Sequence, residues 1–463
     1  MKNRDDPGPL HRSTMHNFDE SMDEVAKRIF DFARHRVREH STPLGKIASA
    51  NDLITAAGPT VIAKGIGGME AMRIFEEVLE PNCLAVDYTK YLSFVPAAPT
   101  EAAVLFDLVV GACSIYGGSW IEGAGAVHAE NEALGWLIGL TQMPEGAGGV
   151  FVSGGTIGNL SAMVGARTAA AERLGDRRPA RWAFLASETS HSSVTSACGV
   201  MDADVITVPV DDDFRMTGVA VAAALDEHGD RIAGVVATAG TTNLGRIDHL
   251  REIGEACRER GVWLHVDAAY GGAALAAPST HDRFDGIELA DSVIIDPHKW
   301  LFAPFDCCAL LWRDPDSARR AHAQHADYLT FLDAYGDWNP SDFAIHLSRR
   351  VRGLPLWFSL AMHGTDAYAD AVEATLDLAS EAVRQIRAAD HVELVLEPSL
   401  SVVVFQRIGW DSNQYQAWSK RMMHTGEAFV VPSRHLGKPV YRFCFINPQT
   451  TFEEITEILD ALR

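Results

Sequence analysis

The sequence predicts an α/β fold: a mostly parallel seven-stranded sheet with helices on both faces, a helical arm before it and a small α+β domain after it. Three observations carry this. Between residues 149 and 312, short apolar runs alternate with amphipathic stretches, the pattern of strands joined by crossover helices. Over residues 16–80 the periodicity is helical but interrupted by Pro43, Gly45, Pro59, Gly65, Gly67 and Gly68. Beyond residue 350 a long helical stretch gives way to extended runs and a closing helix.

Taken in order, residues 1–85 read as an arm that cannot close a core of its own, 86–350 as the large domain and 351–463 as the small one. The sheet of the large domain is expected from runs at 149–153, 182–186, 205–209, 233–239, 262–267, 292–296 and 308–312, with helices clearest at 159–173, 219–228 and 248–260. In the small domain a helix at 367–387 precedes strands at 392–396, 401–406, 428–431 and 440–445, then a helix at 452–463. In sheets of this kind ligands bind where the strands end at their carboxyl edge.

Composition narrows the partners. The 463 residues are 47% hydrophobic and 22% charged, ordinary for a globular chain. A net charge of −22 argues against nucleic acid and against an anionic membrane surface. No apolar stretch reaches the ~20 residues of a membrane span, and the polar start lacks an apolar signal core, so a cytoplasmic location is expected. Seven cysteines, an odd number with no C-x-x-C pair, read as reduced thiols, and no metal is expected.

Chemistry gathers at the strand ends. The run 262–266 delivers Asp267 beside Ala268-Ala269, where a carboxylate with small neighbours can meet a flat heteroaromatic ring. The run 292–295 leads into Asp296-Pro297-His298-Lys299-Trp300, where an apolar setting is expected to lower the lysine pKa and favour the neutral amine that attacks a carbonyl. Either residue alone is more often a helix cap or a solvated charge; together they suggest pyridoxal phosphate, whose ring nitrogen takes a carboxylate and whose aldehyde takes a lysine. Ser153-Gly154-Gly155-Thr156 stands at a strand-to-helix junction suited to a phosphate and lacks the ending of a nucleotide P-loop. His191 follows another strand and reads equally as a helix cap, and Thr242 sits in a small polar turn that needs no function to explain it.

These residues resemble the group II pyridoxal-phosphate-dependent amino acid decarboxylases, the aromatic amino acid, glutamate, histidine and cysteine-sulfinate enzymes. The likeness runs from about Tyr91 to the C-terminus, most specifically at His265-Val266-Asp267-Ala268-Ala269 and Pro297-His298-Lys299-Trp300. It implies fold type I and catalysis through a Lys299 aldimine, with Asp267 on the ring nitrogen and His191 stacked opposite Ala269. It further implies that Gly155 and Thr156 bind the phosphate, that Thr242 lies near the ring hydroxyl or the substrate carboxylate, and that Asp296 and His298 belong to the cofactor site. Arg442 matches an arginine that faces a substrate carboxylate in glutamate decarboxylases, with a structural strand arginine as the alternative. Phe94, with Val95 and Trp120, could line an aromatic side-chain pocket, though apolar residues there are more often core.

The resemblance also places a proton-donating tyrosine between the lysine and Leu347-Ser348-Arg349-Arg350. Spacing lands on Tyr328, with Tyr335 as the alternative and His191 as a second donor. Three positions depart from the family pattern: Asp87–Tyr91 lacks its His-Pro pair, Ala97 stands where a substrate-touching threonine occurs, and Asp296 stands where asparagine does. The implied activity is that of a carboxy-lyase making an amine and CO2 from an L-amino acid, aromatic or related, in a homodimer with the active site at the interface. The alternatives are an aldehyde-forming or transaminating enzyme on the same scaffold, and a catalytically silent homologue.

Overall fold

The computed structural model describes residues 14–38, 43–324 and 338–463. These divide into two compact units, one ending at Ala85 and one running from Val86 to Arg463. In the first, α1 (Glu20–Arg38), α2 (Ala50–Ala57) and α3 (Gly68–Ile74) are joined by glycine-broken turns. A Cβ at Gly68 would stand 2.5 Å from Val25 Cγ2, so the glycine is what lets α3 approach α1. Arg28 pairs with Glu76 and Phe32 meets Phe75 edge-on at 5.7 Å, yet Phe18, Phe30, Ile54 and Val61 remain exposed.

The second unit opens with α4 (Glu101–Cys113) and α5 (Trp120–Thr141) and then winds the large sheet. In order come β1 (Gly148–Val152), α6 (Gly155–Leu174), β2 (Ala183–Ser187), α7 (Ser192–Val200), β3 (Asp204–Val208), α8 (Gly218–His228) and β4 (Ile232–Thr238). They are followed by α9 (Leu250–Arg260), β5 (Trp263–Asp267), β6 (Ser292–Ile295), the single turn α10 (Pro297–Trp300), β7 (Cys308–Trp312) and α11 (Pro315–His322). The strand order is β1-β7-β6-β5-β4-β2-β3. Strands β2 to β6 pair in parallel, and β7 is antiparallel to both β6 and β1. Two antiparallel pairings cancel, so β1 runs in the same direction as β6 and ends at the same edge.

Alternation along the strands divides the core. Phe151, Leu185, Val235, Leu264, Val293 and Leu311 pack with α5, α8 and α9 on one face. Val150, Phe184, Val236, Ile294 and Leu310 pack with α6, α7 and α11 on the other. Both faces are covered, which is why these strands read as unbroken apolar runs.

The chain continues through α12 (Leu354–His363), α13 (Thr365–Ala388), β8 (Val392–Leu396), β9 (Val402–Arg407), α14 (Ser412–Thr425), β10 (Pro432–His435), β11 (Lys438–Cys444) and α15 (Phe452–Asp460). The four strands form an antiparallel sheet in the order β10-β11-β9-β8. One strand expectation is displaced. Residues 428–431 carry no ladder beyond a single bridge of Phe429 to Tyr91, and the strand begins at Pro432. The apolar run is there because Ala428, Phe429 and Val430 are buried, not because they pair. Helix α14 was not anticipated. No helix among the described residues is long and apolar enough to cross a membrane.

Candidate active site

Five loops at the carboxyl edge of the large sheet line one cavity of about 410 Å³. The loop after β1 supplies Gly155 and Thr156, that after β2 His191, and that after β4 Gly240 and Thr242. Asp267 ends β5 and Ala269 follows it, and Asp296, His298 and Lys299 follow β6. Nine of the residues singled out from sequence therefore meet at one place. Phe94 and Arg442 are not on this lining. They meet each other instead: the Arg442 guanidinium donates to the Phe94 carbonyl at 2.6 Å. Trp120 opens α5 and is likewise off the lining. Tyr328 and Tyr335 lie outside the described residues.

The local backbone explains the convergence. Helix α6 begins at Gly155 with no side chain capping its first turn, which leaves its positive end for an anion. A Cβ at Gly155 would lie 3.1 Å from Asp296 Oδ2 and 3.4 Å from Ala269 Cβ, so a side chain there would crowd the Asp296 carboxylate. Gly240, at φ +112°, would put a Cβ 2.8 Å from the Gly271 backbone. His191 is both the cap of α7, accepting the Ser193 backbone N–H at 3.2 Å, and a wall of the cavity.

Electrostatics at the lysine differ from the sequence expectation. Burial pulls the Lys299 pKa down, but the carboxylates of Asp296 and Asp267 outweigh it, and the amine is held above its ordinary range. Nζ sits 2.9 Å from Asp296 Oδ2, and His298 Nε2 is 3.8 Å from the same oxygen. Asp296 is 2% exposed; burial pushes its pKa up, but Lys299 and His298 bring it below the carboxylate norm. Asp267, 6% exposed, accepts from the Asn159 amide at 2.9 Å and from the Ala269 backbone N–H at 3.1 Å. Asn159 and Ser193 were not singled out from sequence. A polar residue one helical turn after Gly155 on a buried face was the available signal.

Pyridoxal 5'-phosphate fits this set. A carboxylate held by two donors suits its ring nitrogen, the uncapped helix suits its phosphate, and the amine suits its aldehyde. Thr238 Oγ1, on the lining, is buried with no hydrogen-bond partner among the described residues and is a free donor for a polar ligand.

Comparison with known proteins agrees. The pyridoxal-dependent decarboxylase conserved domain matches residues 71–408. Aromatic-L-amino-acid decarboxylase of Bacillus atrophaeus is 32% identical over 440 residues, 91% of this chain and 90% of that protein. 4-Hydroxyphenylacetaldehyde synthase of Rhodiola rosea is 27% identical over 81% of this chain and 80% of its own. In fold, the chain is similar to Oryza sativa TDC with PLP and tryptamine, at a TM-score of 0.89 and 23% identity, covering 96% of this chain and 98% of that one. The chain belongs to the pyridoxal-dependent decarboxylase family and is an amino acid decarboxylase whose cofactor is pyridoxal 5'-phosphate.

Proposed function

We propose that this enzyme removes the carboxyl group of an L-amino acid with an aromatic side chain, releasing CO2 and the amine. The observation that carries the reading is the meeting of Lys299, Asp267 and His191 on one cavity. When bound, the cofactor supplies an electron sink for the pair left at Cα as CO2 departs. Lys299 would hold it covalently, Asp267 would keep the proton on its ring nitrogen, and His191 and Ala269 would flank the ring. Gly155 and Thr156 bind the phosphate, Asp296 and His298 surround the lysine, and Thr242 orients the ring hydroxyl or the substrate carboxylate. His191, or Tyr328 outside the described residues, returns a proton to Cα.

Aromatic substrates are favoured by the curated relatives named as aromatic-L-amino-acid decarboxylases. Phe94 and Arg442 lie off the cavity lining, where Arg442 holds the Phe94 carbonyl and Phe429 packs 5.9 Å from the Phe94 ring. We infer a cytoplasmic homodimer with the site at its interface. Leu105, Leu108 and Val109 of α4 are exposed, as are Phe94 and the cavity-lining Phe305.

A panel of L-amino acids incubated with cofactor-loaded enzyme, reading CO2, amine and peroxide, tests this. Amine from aromatic substrates is expected; aldehyde with peroxide as the main product identifies an aldehyde-forming enzyme, and turnover confined to glutamate overturns the substrate class.

A further inference from the structure

From the cavity lining, where Asn159 and Ser193 stand, back to β5 and β6 the hydrogen bonds run in one direction. An ionised Asp267 only accepts, so the amide nitrogen of Asn159 must face it, at 2.9 Å. That orientation turns Asn159 Oδ1 toward His265 Nε2, 2.8 Å away, which must carry the ring proton. His265, on β5 two residues before Asp267, is 1% exposed and burial brings its pKa down to about 4, so the ring is neutral. Its Nδ1 then accepts the Ser292 hydroxyl at 2.9 Å, closer than the Ser292 carbonyl at 3.2 Å, and that hydroxyl in turn accepts from Trp263 Nε1 at 3.0 Å. The second N–H of Asn159 donates to Ser193 Oγ at 2.8 Å, and the Ser193 hydroxyl donates to His191 Nδ1 at 2.8 Å. One amide therefore ties Asp267 to His191 across the cavity lining, and every donor in the chain has one acceptor.

We propose that Asn159, oriented by His265, is a positioning residue that fixes the Asp267 carboxylate against the cofactor ring nitrogen and locks it to His191. It rests on the cofactor reading above. His265 has no hydrogen bond to Asp267, so its influence passes through the Asn159 amide. Without the imidazole donor the amide oxygen loses its buried partner, and the orientation rests on Asp267 and Ser193 alone.

The test uses full-length protein loaded with ring-15N pyridoxal 5'-phosphate, comparing wild type, Asn159→Leu, His265→Leu and the double variant. Removing a donor to a charged acceptor is worth about 10- to 100-fold. Asn159→Leu is expected to weaken cofactor binding and kcat by that factor with substrate KM within about twofold, and to move deprotonation of the ring nitrogen to lower pH. His265→Leu should give a smaller change in the same sense, and no further change when Asn159 is already leucine. Should Asn159→Leu not fold, Asn159→Ser keeps one short donor and is read the same way. Ring-nitrogen titration and cofactor affinity unaltered in the Asn159 variants, or independent additive effects of His265, overturn the proposal while wild type still binds and turns over. A wild type that binds no pyridoxal 5'-phosphate overturns the functional reading and this proposal with it.

Discussion

Asp296 Oδ2 and Lys299 Nζ are 2.9 Å apart across the single turn of α10, a carboxylate and an amine that bury each other's charge. The pair keeps the amine protonated, whereas cofactor capture needs it neutral. Asp296→Asn removes the larger of the two carboxylate contributions, leaving burial, which lowers the pKa, less opposed. Cofactor capture, followed by the visible absorbance band, is therefore expected to reach its maximum at lower pH in the variant. A profile shifted upward or unmoved shows that Asp296 does not set the lysine charge.

Lys299→Ala is expected to abolish turnover and the visible band of the bound cofactor while far-ultraviolet dichroism stays native, since Pro297, His298 and Trp300 hold α10 in the core and the Lys299 side chain, 25% exposed, does not. Asp267→Asn should still bind cofactor but lose about 100-fold or more in kcat, the scale of one preorganised charge facing the reacting system. Steady-state kinetics check both.

Arg349 and Glu130 form an ion pair at 2.7 Å with side chains only 2% and 3% exposed. Glu130 also accepts the Gly353 backbone N–H at 2.8 Å, and Arg349 donates to the Gly117 carbonyl at 2.7 Å. Glu130→Ala strands a buried cation and is expected to cost about 3–5 kcal/mol in denaturant unfolding, whereas Glu130→Leu with Arg349→Met should cost less than either single change.

His265 and His322 are both held near pKa 4, burial being the main cause. A base whose folded pKa lies below its unfolded value of about 6.5 resists protonation in the native state, so its stability is complete above pH 6.5 and is lost as pH falls toward 4. Each such histidine accounts for on the order of 3 kcal/mol across that window. His322, which bonds the Ser161 carbonyl at 3.0 Å, lies away from the cavity lining, and His322→Gln should flatten the acid side of the stability curve in urea titrations between pH 7 and 4.5.

The sheet was legible because strands buried on both faces read as unbroken apolar runs: the expected 308–312 coincides with β7 (Cys308–Trp312), and the other six lie within a residue or so of their strands. The same logic misplaced β10, since burial of Ala428 and Val430 mimics a strand when a loop lies over the core. Helix α14 had a sequence signature, the reciprocal cap of Asp411 and Gln414 and a left-handed Gly426, but its buried face is interrupted by polar residues. At the site, residues with recognisable motifs were readable. Asn159 was not, because its meaning depends on partners in β5 and α7, at His265, Asp267 and Ser193, that only folding brings near.

The order β1-β7-β6 has a kinetic consequence. Among the described residues strand β1 pairs only with β7, which leaves the ribosome some hundred and sixty residues later, as Val152 against Cys308 makes plain. Until that late closure the glycine turn after β1 has no fixed place opposite the lysine turn after β6. The pocket is thus among the last features of the sheet to mature, and long-range pairing of this kind is intrinsically slow. During refolding, competence to take up cofactor should lag behind the recovery of helix, and the lag times the docking of β1 onto β7.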